Sequence, residues 1–346
     1  MELAELKNKL KTGNLGGWYI FAGEEDYLKK YYLKELRTAA SGDDAFAIFN
    51  TVSYDGADID FGAVKEAIKS PPMMSEYKYI EWKFANLDAL KESERTLLEE
   101  LFSLREEYPY SVFAIMTTDD GFDTGTPKKP SKLASRLSKG FDIIIMNRST
   151  DSQLLAWLKK HFDSEGISTD ANALNALLFR SGHSMEVLNN EVSKLCCYAK
   201  ANKLSAITQK EVDFIASPTV ECDAFALSNA VIEKNMAKAF NALSDLKARR
   251  VEPGAIIAML ERTYSELASV ALLLDEGKDS GDIESLLKIH PFKAKLCISA
   301  AKKIGSKSLA AALSELGRID AASKAGGMTG YGVVEMFITN NLNSIF

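Results

Sequence analysis

The sequence contains 346 residues, of which 46% are hydrophobic and 26% are charged, and its formal net charge at pH 7 is −6. These are ordinary globular values, and they exclude a disordered, collagen-like or coiled-coil chain and a protein that binds polyanions over its whole surface. The length predicts two or three domains. No run approaches the roughly 20 apolar residues that cross a bilayer, so we expect a cytoplasmic protein without membrane contact.

The first 148 residues alternate short apolar runs with segments of helix length. Helical spacing of apolar positions occurs in residues 26–36 and 93–108. Five runs rich in aromatic and β-branched residues are predicted strands: residues 17–22, 46–52, 78–82, 111–117 and 142–146. Strands that alternate with helices are typical of a mostly parallel sheet covered on both sides, so we predict an α/β domain here.

The turn between the first strand and the first helix has the position of a phosphate-binding loop. From Gly23 the chain reads Gly-Glu-Glu-Asp-Tyr-Leu-Lys-Lys, whereas that loop requires G-x-x-x-x-G-K-[ST]. Leu28 replaces the second glycine, Lys30 replaces the magnesium-binding hydroxyl, and Lys29 alone is retained. The added carboxylates would repel a triphosphate. We therefore expect a degenerate loop that does not bind nucleotide, formed by Gly23, Glu24, Glu25, Leu28, Lys29 and Lys30.

A second unusual segment, residues 70–76, reads Ser-Pro-Pro-Met-Met-Ser-Glu and lies between a predicted helix and the strand at residues 78–82. Two prolines prevent the helix from continuing, and two large apolar side chains follow where a turn is normally polar. Pro72, Met73 and Met74 therefore either plug the core or contact a partner protein. We call residues 70–76 the apolar turn.

The remaining sequence is predicted to be helical. Residues 149–218 contain about four short helices; Ser149-Thr150-Asp151 offers an N-cap for the first and Asp170 begins the second, and together these helices suggest a small lid domain. Residues 219–346 contain several amphipathic helices joined by short loops, which predicts an α-helical bundle. The four cysteines lack C-x-x-C spacing and the three histidines lie far apart, so we expect no metal site and no catalytic constellation.

Three parts of the chain resemble the delta subunits of the bacterial DNA polymerase III clamp loader. They are the Gly23-Glu24-Glu25 turn, Pro72-Met73-Met74 before an aromatic strand, and the G-x-x-M-x-x-L-x-N-E-x-x-K-L pattern within residues 181–195. The resemblance extends along essentially the whole chain. It implies an AAA+-like (RecA-like) α/β domain at residues 1–148 without a working ATP site, a helical lid at 149–218 and a helical collar at 219–346.

The resemblance also implies a function and a set of partners. A delta subunit binds the beta sliding clamp, here through Pro72, Met73 and Met74, and helps to open the ring for loading onto primed DNA. It needs no cofactor and no catalytic residues of its own, although it belongs to a DNA polymerase holoenzyme. Its other partners are gamma/tau and delta-prime type subunits in a hetero-pentamer, and primer-template DNA. The alternative is a divergent but active AAA+ or P-loop NTPase that acts on nucleic acid.

Residues that contact DNA are predicted in the C-terminal third. No acidic residue occurs between Glu284 and Glu315, so the lysines of this stretch form a locally positive face. This face is either simply solvated or contacts DNA phosphates. Tyr331, in the glycine-rich segment 326–332, is a candidate to stack on a base. The candidate DNA contacts are Lys293, Lys295, Lys302, Lys303 and Tyr331.

Overall fold

The computed structural model describes residues 1–41, 44–56, 59–126, 128–289, 291–326 and 330–343. The chain divides into two compact units, Met1–Ser149 and Thr150–Phe346. The predicted glycine-rich segment 326–332 includes residues 327–329, and the predicted helical bundle at 219–346 includes residues 327–329 and 344–346; these residues lie outside the described ones.

The first unit is an α/β domain, as predicted. Five of its strands form one parallel sheet in the order β2-β3-β4-β1-β7. The predicted helix over residues 93–108 is interrupted by a short 3-10 turn, Leu101–Ser103. The elements in chain order are α1 (Leu3–Thr12), β1 (Gly17–Ala22), α2 (Asp26–Ser41), α3 (Asp44–Asn50), β2 (Thr51–Asp55), α4 (Phe61–Lys69), β3 (Lys78–Ala85), α5 (Glu92–Glu100), α6 (Leu104–Glu107), β4 (Ser111–Thr117), β5 (Gly125–Thr126), β6 (Lys129–Pro130), α7 (Lys132–Leu137) and β7 (Asp142–Ile145).

Both faces of this sheet are buried, which explains why its strands are apolar at successive positions. In β1, Trp18 and Ile20 point into a core shared with α4, α5 and α7, whereas Tyr19 and Phe21 point into a core shared with α1 and α2. Successive side chains of a strand face opposite sides, so helices on both faces require apolar residues at every position. The sheet therefore holds the glycine turn after β1 in a fixed position.

The predicted strand over residues 46–52 is wrong in most of its length. Residues Asp44–Asn50 form helix α3, and the strand begins at Thr51 as the edge strand that pairs with β3. Asn50 is fully buried, and its Nδ2 donates to the Ser41 carbonyl 3.2 Å away. The compact helical conformation of α3 keeps Asn50 within hydrogen-bonding distance of Ser41 at the end of α2. A strand rises about 3.3 Å per residue, so the same residues in extended form would place Asn50 too far from Ser41.

The second unit is helical, and the predicted caps are present. Thr150 accepts a hydrogen bond from the Gln153 amide, and Asp170 accepts one from the Ala173 amide. Its elements are α8 (Asp151–Ser164), β8 (Ser168–Thr169), α9 (Ala171–Arg180), α10 (Met185–Ala201), β9 (Ala206–Ile207), α11 (Gln209–Ile215), α12 (Val220–Ile232), α13 (Met236–Ala248), α14 (Pro253–Asp275), α15 (Ser280–Leu287), α16 (Pro291–Ile304), α17 (Ser306–Lys324) and α18 (Gly332–Asn343).

The helices from α12 onward share one apolar core around the long helix α14, whose Leu260, Tyr264 and Leu267 are buried. Phe179 of α9 packs against the same core. The division of this unit into lid and collar at residue 218 stays a prediction. No helix in the described ranges is long and apolar enough to cross a membrane.

Candidate functional site

Lys29, the one residue of a phosphate-binding loop that the sequence retains, is fully buried on α2. Its Nζ lies 2.8 Å from Asp26 Oδ1 and 3.3 Å from Asp119 Oδ1, and it donates to the Thr117 carbonyl 2.9 Å away. In a working loop this ammonium reaches the β- and γ-phosphates of the nucleotide. Here its contacts are with the protein, and two carboxylates already neutralise it.

The glycine turn itself is packed against the segment that follows β7. Gly23 has a φ of +101°, and a Cβ at this position would lie 2.4 Å from the Met146 carbonyl oxygen. The same oxygen accepts a hydrogen bond of 2.9 Å from the Glu25 amide. A phosphate-binding loop needs such amides to face its ligand. In this chain, therefore, the protein's own backbone takes one of the donors that a phosphate would need.

The carboxylates of the turn are also arranged for protein contacts. Glu24 forms an ion pair of 3.2 Å with Arg148, and burial raises the pKa of Glu25 above its ordinary value. Leu28 packs against the apolar core beneath α2, and Lys30 is exposed. These contacts support the predicted loss of a nucleotide site.

The apolar turn lies at the surface. After α4 the chain is extended at Ser70, and Met73 and Met74 are 48% and 81% exposed. Met74 has a φ of 52°, in the left-handed region, which is uncommon for a residue with a side chain. Of the two alternatives for these methionines, this exposure contradicts a plug in the core, while contact with a partner stays a prediction.

Partly buried hydrogen bonds hold the backbone of the apolar turn. The Met73 amide donates to Asn50 Oδ1 at 2.6 Å, and Asn50 Nδ2 donates to the Met73 carbonyl at 2.8 Å. The Ser75 hydroxyl donates to the Ala40 carbonyl at 3.1 Å. Asn50 is a positioning residue that the sequence analysis did not identify. Its only sequence signal is a polar amide at the end of an apolar run.

The pattern within residues 181–195 has a structural role. Gly182 ends α9 with a φ of +59°, while Met185 and Leu188 of α10 are buried. The Glu191 carboxylate is also buried. It accepts a hydrogen bond from the Ser217 amide at 3.1 Å and lies 2.7 Å from Lys194 Nζ. The pattern therefore specifies a helical turn, a buried face and a carboxylate, Glu191, whose hydrogen bond from the Ser217 amide holds the segment after α11 against α10.

The four candidate lysines on α16 differ in their surroundings. Lys293 forms an ion pair of 2.8 Å with Glu266, and Lys303 forms one of 3.1 Å with Glu233. Lys295 and Lys302 are exposed and seven residues apart, which places them on one side of the helix. The positive face is therefore smaller than the sequence suggests.

Tyr331 is partly buried against the core of the helical unit. Its hydroxyl donates to the Val251 carbonyl at 3.0 Å, and Lys247 Nζ lies 5.2 Å from the centre of its ring. These contacts favour a structural role over stacking on a base, although a DNA contact by Tyr331 stays a prediction. Within the described ranges, no three His, Cys, Asp or Glu side chains are placed to hold a metal ion.

Two protein-family models match the chain. The model for the DNA polymerase III delta subunit matches residues 19–123, and the model for the C-terminal domain of that subunit matches residues 221–341. Together they match more than half of the chain. The chain belongs to the DNA polymerase III delta-subunit family. The first matched range includes the degenerate loop and the apolar turn, and the second includes most of the helical bundle.

Individual delta proteins are similar to this chain over nearly its whole length. DNA polymerase III subunit delta of Bacillus subtilis is 22% identical over 334 residues, which cover 95% of this chain and 94% of that protein. The probable delta subunit of Aquifex aeolicus is 23% identical over 315 residues, or 88% of this chain and 85% of its own. The solved structure of the Bacillus subtilis DNA clamp loader delta protein aligns over 99% of both chains with a TM-score of 0.59 and 20% identity, which shows a shared fold.

We predict that Lys29→Met lowers the free energy of unfolding by about 1–3 kcal/mol, because it removes a buried charged donor from three acceptors. Lys34→Met is the matched control, since Lys34 is an exposed lysine on the same helix and should change stability by about 0.5 kcal/mol at most. Urea denaturation of both variants makes the comparison. Equal stabilities would mean that the Lys29 ammonium does not hold the loop.

Glu191→Ala in this delta-family chain should also lower the free energy of unfolding by about 1–3 kcal/mol, since it leaves the Ser217 amide without its acceptor. Asn190→Ala, at an exposed position of the same helix, is the control. Thermal and urea denaturation followed by circular dichroism measure the difference. If the two variants unfold alike, Glu191 has no structural role.

Proposed function

We propose that this chain is a non-catalytic clamp-loader subunit, which binds the beta sliding clamp and helps to open the ring for loading onto primed DNA. The observation that carries the proposal is the apolar turn, in which Met73 and Met74 are exposed on a backbone held by Asn50. Apolar side chains presented on a fixed backbone lose little conformational entropy when they enter a pocket. Pro72 adds to this rigidity because its ring fixes φ.

The degenerate loop supports a role without ATP hydrolysis. Lys29 is paired with Asp26 and Asp119, and the Gly23 turn is packed on Met146. In the proposed assembly, gamma/tau and delta-prime type subunits complete a hetero-pentamer, and ATP bound by partner subunits controls when the apolar turn reaches the clamp. The alternative, a divergent active NTPase, would need the Lys29 ammonium to exchange two carboxylates for phosphates.

The proposed function includes contact with primer-template DNA and action in the cytoplasm. Lys295 and Lys302 are the best candidates for phosphate contacts, because both are exposed on one side of α16. Lys293 and Lys303 would first have to leave their carboxylate partners. We therefore place the DNA contact of this unit at Lys295 and Lys302.

The double variant Met73→Ala, Met74→Ala should weaken binding to the sliding clamp of the same organism by about 2 kcal/mol or more, which is about 30-fold in Kd. Both side chains are expected to be central apolar anchors. Met236→Ala is the matched control, because Met236 is 48% exposed, as is Met73, but lies in the helical unit.

Surface plasmon resonance with the full-length chain gives both affinities, and circular dichroism confirms that the variants are folded. The proposal fails if the folded double variant binds the clamp as tightly as the unsubstituted chain.

A further inference from the structure

Helix α3 displays two large apolar side chains that the apolar turn does not include. Ile48 is 78% exposed and Phe49 is 55% exposed, although they immediately precede the fully buried Asn50. The helical conformation of residues 44–50 causes this exposure, because it directs Asn50 inward and leaves the two preceding side chains at the surface. Neither residue belongs to the cores of the α/β unit.

Three hydrogen bonds connect the end of α3 to the apolar turn and to the strand that follows it. Asn50 exchanges hydrogen bonds with both backbone groups of Met73, at 2.6 and 2.8 Å. Lys78 Nζ donates to the Phe49 carbonyl, and burial lowers the pKa of Lys78. Phe49 and Met73 are therefore held beside the same buried amide, so that the exposed groups of α3 and of the turn occupy one region of the surface.

We propose that Ile48 and Phe49 form a second apolar contact to the sliding clamp, next to the contact made by Met73 and Met74. This inference rests on the proposed function of the apolar turn. Monomeric proteins rarely leave several large apolar side chains together in water unless a partner covers them. Because Asn50 fixes α3 to the turn, a protein that receives the two methionines lies directly against α3 as well.

The expected partner surface has a defined chemistry. It is an apolar area beside the pocket for the methionines, wide enough for an aromatic ring and a branched aliphatic side chain. Aromatic side chains at interfaces bury a large area and lose few rotamers, so Phe49 is expected to contribute more than Ile48. The shared hydrogen bonds make both contacts part of one rigid surface, and the clamp therefore binds them together rather than in sequence.

The test compares clamp binding by a double variant and by a single control variant of the full-length chain. Ile48→Ala with Phe49→Ala should raise the Kd for the purified sliding clamp about 10-fold or more, whereas Phe214→Ala should change it less than about twofold. Phe214 is the matched control because it is an exposed phenylalanine, at 74%, on a helix of the other unit. Since all three side chains are exposed, the variants should keep the unfolding free energy of the unsubstituted chain. If the double variant is unstable, the single variant Phe49→Ala is used for the binding measurement instead.

The outcomes separate this inference from the proposed function. If Met73→Ala with Met74→Ala loses the clamp while Ile48→Ala with Phe49→Ala keeps it, the α3 contact is refuted and the function stands. If neither pair affects binding, both are refuted. The inference would also be overturned if Ile48→Ala with Phe49→Ala binds the clamp normally but fails to assemble with the other clamp-loader subunits. In that case α3 would face a neighbouring subunit.

Discussion

The ammonium of Lys29 is the charge on which the organisation of the α/β unit depends. It lies at the position of the lysine in a phosphate-binding loop, yet it is buried between Asp26 and Asp119 and donates to the Thr117 carbonyl. Isolated buried charges are costly, so a lysine that loses its ligand must gain another partner or be replaced. Here Asp26 of the same helix and Asp119 pair with the ammonium, and the contacts with Asp119 and Thr117 connect α2 to the end of β4.

Because the Lys29 ammonium is engaged by carboxylates, the function that we propose for this unit depends on its surface contacts. Among the described residues of this unit, the two most exposed large apolar side chains, Met74 and Ile48, lie on the apolar turn and on α3, and one buried amide, that of Asn50, connects these two elements. Fixing a binding surface in advance reduces the entropy that association must overcome. A parallel sheet buried on both faces provides the rigid support, while the helical unit carries the second half of the family's sequence signature.

Much of the fold could be predicted from the sequence. Strands β1, β4 and β7 are apolar at nearly every position because helices cover both faces of the sheet, and the helices of the second unit follow from spacing and from capping segments such as Ser149-Thr150-Asp151. Residues 46–52 were predicted wrongly because an apolar run of this length fits a strand or a helix equally well. The contacts that decided it, from Asn50 to Ser41 and Met73, join distant parts of the chain.

The sequence was sufficient to predict a degenerate loop and an apolar turn, but not the contacts that their side chains make. The substitutions Leu28 and Lys30 indicate a lost phosphate loop from local sequence alone, and the two prolines with Met73 and Met74 mark an unusual turn. The contact of the Lys29 ammonium with Asp119 could not be predicted, because Asp119 lies 90 residues further along the chain. In the same way, the contacts of Lys293 with Glu266 and of Lys303 with Glu233 depend on helix packing that no short motif specifies.

The most direct test of a clamp-binding subunit without a nucleotide site is the affinity of the full-length chain for the sliding clamp, measured by isothermal titration calorimetry with and without Mg²⁺ and ATP. A ligand shifts an equilibrium only by its differential affinity for the two states. We predict tight binding without nucleotide and a Kd that ATP changes less than about twofold. Clamp binding that requires ATP, or that ATP strengthens about 10-fold or more, would contradict the account.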